Sequence, residues 1–182
     1  MQSTTGLLVI DMQVCAFDGL ITPPIDEGGK LLDKVAGLIK VFRRLKLPII
    51  FIQTCALPGQ PYAKDTHGWE IHPRMKIGDE DKIVYKAQSN AFENTKLQQV
   101  LSNLHITGLV TCGIWSEYCV ANTTIAALEQ DYQTCVASDA HSTVAGSNSK
   151  AVRKIEEQNA LLKSKNAQLL TVSQLAESLR NK

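Results

Sequence analysis

The sequence has few aromatic residues, almost no net charge and no long apolar run. Phe, Trp and Tyr make up 5% of the chain, and the formal charge is +1. Balanced charge without a basic stripe argues against binding to nucleic acid or to an anionic membrane surface. No apolar run approaches the ~18 residues that a membrane-spanning helix needs, and the amino-terminal segment lacks the basic region of a signal peptide. We therefore expect a cytoplasmic protein.

Paired cysteines are also missing. The chain has five cysteines, an odd number without paired spacing: Cys15, Cys55, Cys112, Cys119 and Cys135. Free thiols in a reducing compartment are therefore expected. What the chain does have is 44% apolar residues in a length of 182, which is enough to bury a core without disulfides. We expect one domain over residues 1–182.

Short apolar runs alternate with segments of helical spacing. The runs that predict strands lie at residues 6–11, 49–53, 82–85, 106–113, 134–138 and 167–172. The predicted helices lie at 30–45, 94–104, 117–130 and 147–163, with a last helix capped by Ser173. A long loop at 54–80 separates two of the strands. This alternation predicts a three-layer α/β/α domain with a mostly parallel, doubly wound sheet of about six strands.

Three reactive side chains stand where predicted strands end. Asp11 closes the first strand, Lys86 follows the third, and Cys119 opens the helix after the fourth. Parallel sheets carry their sites at this carboxyl edge. A helix amino terminus and a nearby ammonium each lower a thiol pKa, so a depressed pKa is expected for Cys119. The spacing alone also permits a packing cysteine, a capping aspartate and a solvated lysine.

Four segments resemble, in order, the motifs of the isochorismatase-like cysteine hydrolases. They are LLVIDMQ (7–13), KAQSNAF (86–92), GIWSEYCVANTTIAAL (113–128) and DYQTCVASDA (131–140). The resemblance implies a doubly wound sheet and a catalytic triad of Asp11, Lys86 and Cys119. It further implies a small-molecule substrate, no cofactor and a homo-oligomer, either a dimer or a tetramer.

The resemblance also implies an unusual backbone before the nucleophile. Relatives have a cis peptide that maps to Ile114–Trp115, and the amides of Trp115 and Cys119 would then form an oxyanion hole. Trp115 departs from the small residue usual at this position, and Ser116 stands where relatives often have threonine. Nicotinamidases place a metal-binding D-x-H where this chain has Gln53 and Cys55, so no metal is predicted.

Further residues are candidates to line the substrate pocket. They are Gln13, Phe17, Trp69, Ile71, Asn90, Phe92 and Tyr118. His141 follows a predicted strand end and either contacts substrate or makes a structural hydrogen bond. Cys15 is interpreted as a packing residue, with a second reactive thiol as the alternative.

The function predicted from these residues is hydrolysis of a small amide or carbamoyl compound. Cys119 attacks the carbonyl carbon and forms a thioester, while Asp11 accepts the thiol proton and returns it to the leaving amine. Two alternatives from other classes stay open. One is a flavodoxin-like or scaffold binding module without catalysis, and the other is a vinyl-ether hydrolase of the isochorismatase type.

Overall fold

The structure is a computed structural model that describes residues 4–20, 22–144 and 149–181. Its strands are β1 (Thr4–Ile10), β2 (Ile49–Thr54), β3 (Lys82–Lys86), β4 (Ile106–Ile114), β5 (Gln133–Ser142) and β6 (Gln168–Leu170). Its helices are α1 (Gly28–Arg44), α2 (Leu97–Asn103), α3 (Ala121–Glu129), α4 (Ser149–Ser164) and α5 (Val172–Arg180).

The six strands form one sheet in the order β3-β2-β1-β4-β5-β6, and every neighbouring pair is parallel. The chain therefore runs from β1 outward to β3, returns to the middle at β4 and continues to β6. This reversal lies between β1 and β4, which is where the carboxyl ends of a doubly wound sheet diverge and leave room for a site.

Alternating side chains of the central strands fill both faces of the sheet. In β1, Leu7 and Val9 belong to one buried cluster, whereas Leu8 and Ile10 belong to another. The first cluster packs against α1 and α5, and the second packs against α2 and α3. Successive strand residues point to opposite faces, so a continuous apolar run is what a strand covered on both sides requires.

The predicted α/β/α architecture is confirmed, and the differences are local. Ser173 was expected to cap the last helix, but Thr171 is the cap, and it forms a capping box with Gln174. Cys119 was expected at the start of an α-helix, but it lies in a π-helical turn, Ser116–Val120, just before α3. Residues 147–148 of the predicted fourth helix lie outside the described residues. Across the described ranges, no helix is long and apolar enough to cross a membrane.

Candidate active site

The carboxyl ends of four adjacent strands bring polar side chains to one place. Asp11 directly follows β1, Thr54 ends β2, Lys86 ends β3, and Cys119 lies five residues after β4 ends at Ile114. These are the four strands on one side of the sheet, and they run in the same direction. Residues far apart in sequence therefore meet at one edge.

The three residues predicted to form a triad are in contact. The Lys86 Nζ lies 2.8 Å from Asp11 Oδ2 and 3.2 Å from Cys119 Sγ. The side chains of Lys86 and Asp11 are only 1% and 2% exposed. A charged pair is buried at such a site only when each charge has a partner. Lys86 therefore holds the carboxylate and the thiol side by side.

Thr54 completes this cluster, and the sequence analysis missed it. Its hydroxyl donates to Asp11 Oδ1 at 2.9 Å and accepts from Lys86 Nζ at 2.7 Å. The hydroxyl has one proton and two lone pairs, so it can make both bonds at once. Since Thr54 ends β2, the strand-end rule that found Asp11 and Lys86 would have found it too.

Burial sets the electrostatics of the thiol. Desolvation, and next the negative charge of Asp11, raise the pKa of Cys119 to about 12, although Lys86 acts in the opposite direction. The expected depression of this pKa is therefore wrong, because the ammonium does not offset burial beside a carboxylate. Burial also acts to lower the pKa of Lys86, but Asp11 and Cys119 outweigh it and raise that pKa, so Lys86 stays charged.

The free protein should therefore show a slow alkylation of Cys119 that accelerates with pH. Only the thiolate reacts, and its fraction grows ~10-fold per pH unit below the pKa. We expect the iodoacetamide labelling rate of Cys119, followed by peptide mapping, to rise continuously from pH 7 to pH 10. A rate that levels off below pH 8 would contradict the raised pKa.

The strand β4 approaches β1 closely just before the nucleophile turn. A Cβ at Gly113 would lie 2.1 Å from the carbonyl oxygen of Ile10, and the φ of Gly113 is +118°. Only glycine fits both the space and this backbone conformation. The close approach brings the turn that follows β4 next to Asp11. The peptide Ile114–Trp115 is cis, as the resemblance implied.

A buried chain of hydrogen bonds anchors the start of the nucleophile turn. Asn159 on α4 donates through Nδ2 to the carbonyl of Ser138 at 3.2 Å, so its Oδ1 is the acceptor for His141 Nε2 at 3.0 Å. The other ring nitrogen, Nδ1, then accepts from the hydroxyl of Ser116 at 2.8 Å. Burial lowers the pKa of His141, which keeps the ring neutral. His141 thus makes a structural hydrogen bond and positions Ser116.

This neutral histidine should make folding sensitive to mild acid. The unfolded chain takes up a proton near pH 6.5, whereas the folded chain resists it, so the contribution of His141 is complete above pH 6.5 and declines as the pH falls below it. We expect the urea-measured free energy of unfolding to decrease between pH 6.5 and pH 5, with a smaller slope in His141→Gln. The exposed His67 is the control, and a slope unchanged in His141→Gln but lost in His67→Gln would contradict this account.

Among the predicted pocket residues, Gln13 and Trp69 are tied to the protein itself. Gln13 donates to the carbonyls of Thr54 and Trp69 at 3.0 and 2.8 Å and accepts from the Thr54 amide at 2.9 Å. Gln13 also forms a β-bridge with Ile71. The Trp69 indole donates to Cys55 Sγ at 3.3 Å and stacks on Tyr85. These contacts brace the loop against the strand ends that carry Asp11 and Thr54.

The other predicted pocket residues lie in varied surroundings. Phe17 meets the ring of His72 edge-on at 5.4 Å. Asn90 accepts from the amide of Phe92 at 2.9 Å, and Phe92 packs near Tyr132 at 6.0 Å. Tyr118 is 58% exposed. Their contact with a substrate stays a prediction.

Trp115 and Tyr62 lie closer to the triad. Trp115 is half-buried and packs against both core clusters. Tyr62 comes from the long loop after β2, and its electrostatic neighbours include Cys15, Asp11 and Cys119. No periodicity or motif marks Tyr62 in the sequence.

The positions that would hold a metal in a nicotinamidase have other roles. Gln53 donates to the carbonyl of Trp69 at 2.8 Å, and Cys55 contacts the Trp69 indole. Among the described residues, no group of three or more His, Cys, Asp or Glu side chains is arranged to hold a metal ion. The donor set at this edge is therefore one carboxylate, one ammonium, one hydroxyl and one thiol.

Comparison with known proteins places this arrangement in a family. The profile of the isochorismatase domain matches residues 5–167. The chain belongs to the isochorismatase family. It is 33% identical over 138 residues, or 76% of its length, to a streptothricin hydrolase from Streptomyces noursei. The chain spans about half the length of the two such hydrolases it matches.

Solved structures have the same isochorismatase fold. A crystal structure from Oleispira antarctica has a TM-score of 0.89 and 26% identity, with 97% of this chain and 98% of that chain covered. The N-carbamoylsarcosine amidase from Thermoplasma acidophilum has a TM-score of 0.79 and 22% identity, with 93% and 96% covered. The second likeness concerns the fold alone.

Proposed function

We propose that this isochorismatase-family chain hydrolyses a small amide or carbamoyl compound through a thioester on Cys119. The observation that carries the proposal is the contact of one buried ammonium with both a carboxylate and a thiol. Lys86 Nζ lies 2.8 Å from Asp11 and 3.2 Å from Cys119 Sγ. The match to streptothricin hydrolases supports a hydrolytic reaction.

The raised pKa of Cys119 assigns distinct work to each residue. The resting thiol is protonated, so it needs a base at the moment of attack. Asp11 accepts the proton as the sulfur attacks the carbonyl carbon. Lys86 stabilises the thiolate charge as it forms, and its bond to Thr54 keeps the ammonium in position. A protonated thiol beside its base stores the proton that the leaving group later needs.

The two half-reactions then balance. Attack by the sulfur gives a tetrahedral oxyanion, for which the amides of Trp115 and Cys119 are the proposed donors. The C–N bond breaks as Asp11 returns the proton to the nitrogen, and ammonia or an amine leaves. Asp11 next deprotonates a water molecule that attacks the thioester. The acid product departs, and the sulfur recovers its proton from Asp11.

An ammonia-release screen tests the proposal. The panel contains small primary amides, N-carbamoyl amino acids and ureides, each assayed with wild type and with Cys119→Ala. Turnover of at least one compound by wild type alone supports the thiol mechanism. Equal turnover by both proteins would overturn it, and cleavage of vinyl ethers without amide turnover would favour the alternative chemistry of the family.

A further inference from the structure

Tyr62 combines two unfavourable features at the edge of the triad. Its φ is +65°, in the left-handed region that bulky side chains rarely adopt. Its hydroxyl oxygen is buried, and among the described residues no group forms a hydrogen bond with it. Buried polar groups normally have partners, and strained residues gather at functional sites, so the two features together call for an explanation.

The surrounding loop holds Tyr62 in this conformation. The Tyr62 carbonyl accepts from the amide of Ala56 at 2.9 Å, and Ala56 forms a bridge with Ala63. The carbonyl of Ala63 accepts from the hydroxyl of Thr66 at 2.7 Å. The ring packs against the core cluster that contains Met12 and Ala16. The position of the hydroxyl is therefore fixed by the loop and the core.

The neighbours of the hydroxyl are the catalytic groups and a second neutral donor. Its charge interactions involve Cys15, Asp11 and Cys119, and the indole of Trp115 is near enough to favour the phenolate. Desolvation by burial, with Cys15 and Asp11, nevertheless raises the pKa of Tyr62 above its usual value. The phenol therefore keeps its proton at neutral pH and is a hydrogen-bond donor.

We propose that Tyr62 is a specificity-determining residue whose hydroxyl donates to an acceptor next to the scissile carbonyl of the substrate. The inference rests on the proposed function and narrows the substrate to small C–N compounds that carry a second carbonyl or similar acceptor. Trp115, through its indole N–H, supports the same oxygen from the other side. Both donors are neutral, so the acceptor they fit is an uncharged one.

Stability gives the first test of Tyr62→Phe, and it needs no substrate. An unpartnered hydroxyl contributes nothing to the free protein, so the variant should melt at the same temperature as wild type or higher. The matched control is Tyr132→Phe, which removes a hydroxyl that donates to Gln98 at 3.2 Å on the surface. A decrease of more than ~3 °C in Tyr62→Phe, relative to this control, would show a structural partner and overturn the proposal.

Activity gives the second test. We expect Tyr62→Phe to lose roughly 3- to 10-fold in kcat/KM on malonamide, which has a second carbonyl, and to change little on butyramide, which lacks one. Tyr132→Phe should match wild type on both. An equal loss on the two amides would overturn the role in specificity. Turnover that survives Cys119→Ala would instead contradict the thiol mechanism, so the two failures are distinguishable.

Discussion

Replacement of Cys119 by alanine should abolish hydrolysis, with a loss of about 10⁴- to 10⁶-fold in kcat. The reason is that the sulfur forms the covalent bond to the acyl group, and no other thiol stands beside Asp11 and Lys86 in the described cluster. The ammonia-release assay of the best amide substrate measures the effect. Folding should survive, since the variant removes one atom from the edge of a cluster.

Cys55→Ala is the matched control for this variant. Cys55 is a free thiol whose sulfur contacts the Trp69 indole, and it is more exposed than Cys119. We expect it to keep wild-type activity within ~3-fold, because a loss of this weak contact leaves the triad intact. Large and equal losses in both variants would show that the assay reports stability rather than chemistry.

Replacement of Lys86 by methionine should destabilise the protein by about 3–5 kcal/mol, because it leaves the Asp11 carboxylate buried without its cation. Activity should fall as well, since the thiolate loses its counter-charge. Urea unfolding followed by circular dichroism measures the first effect. Arg153→Met is the control, because Arg153 pairs with Glu157 on the surface and both side chains are more than half exposed.

A double variant separates the electrostatic effect from packing. Asp11→Asn combined with Lys86→Met removes both charges, so much of the lost stability should return. Activity should not return, because neither the base nor the ammonium is present. A double variant as unstable as the sum of the two single variants would contradict the account of a coupled buried pair.

The strand-end rule found the triad because each member follows a clear apolar run. Asp11 follows the run of β1, and Lys86 ends the short run of β3. Thr54 ends β2 by the same rule, yet threonine has no signature chemistry and was passed over. The fold class was predictable for the same reason, because strands covered on both faces leave continuous apolar runs.

Features that depend on packing in three dimensions were not predictable. The direction of the Cys119 pKa follows from how completely the site is buried, which sequence does not reveal. Ser116, His141 and Asn159 lie 25 and 18 residues apart, and only the packing of α4 on β5 joins them. Tyr62 lies in a loop without periodicity, where no pattern indicates which side chain turns inward.

Mass spectrometry of the acyl-enzyme is the most direct test of the central claim. Wild-type protein mixed with a turned-over amide and quenched in acid should gain the mass of the acyl group, on the peptide that contains Cys119. Neutral hydroxylamine should remove this mass, because it cleaves thioesters. An adduct on another cysteine, or an adduct on the Cys119→Ala protein, would contradict nucleophilic attack by Cys119.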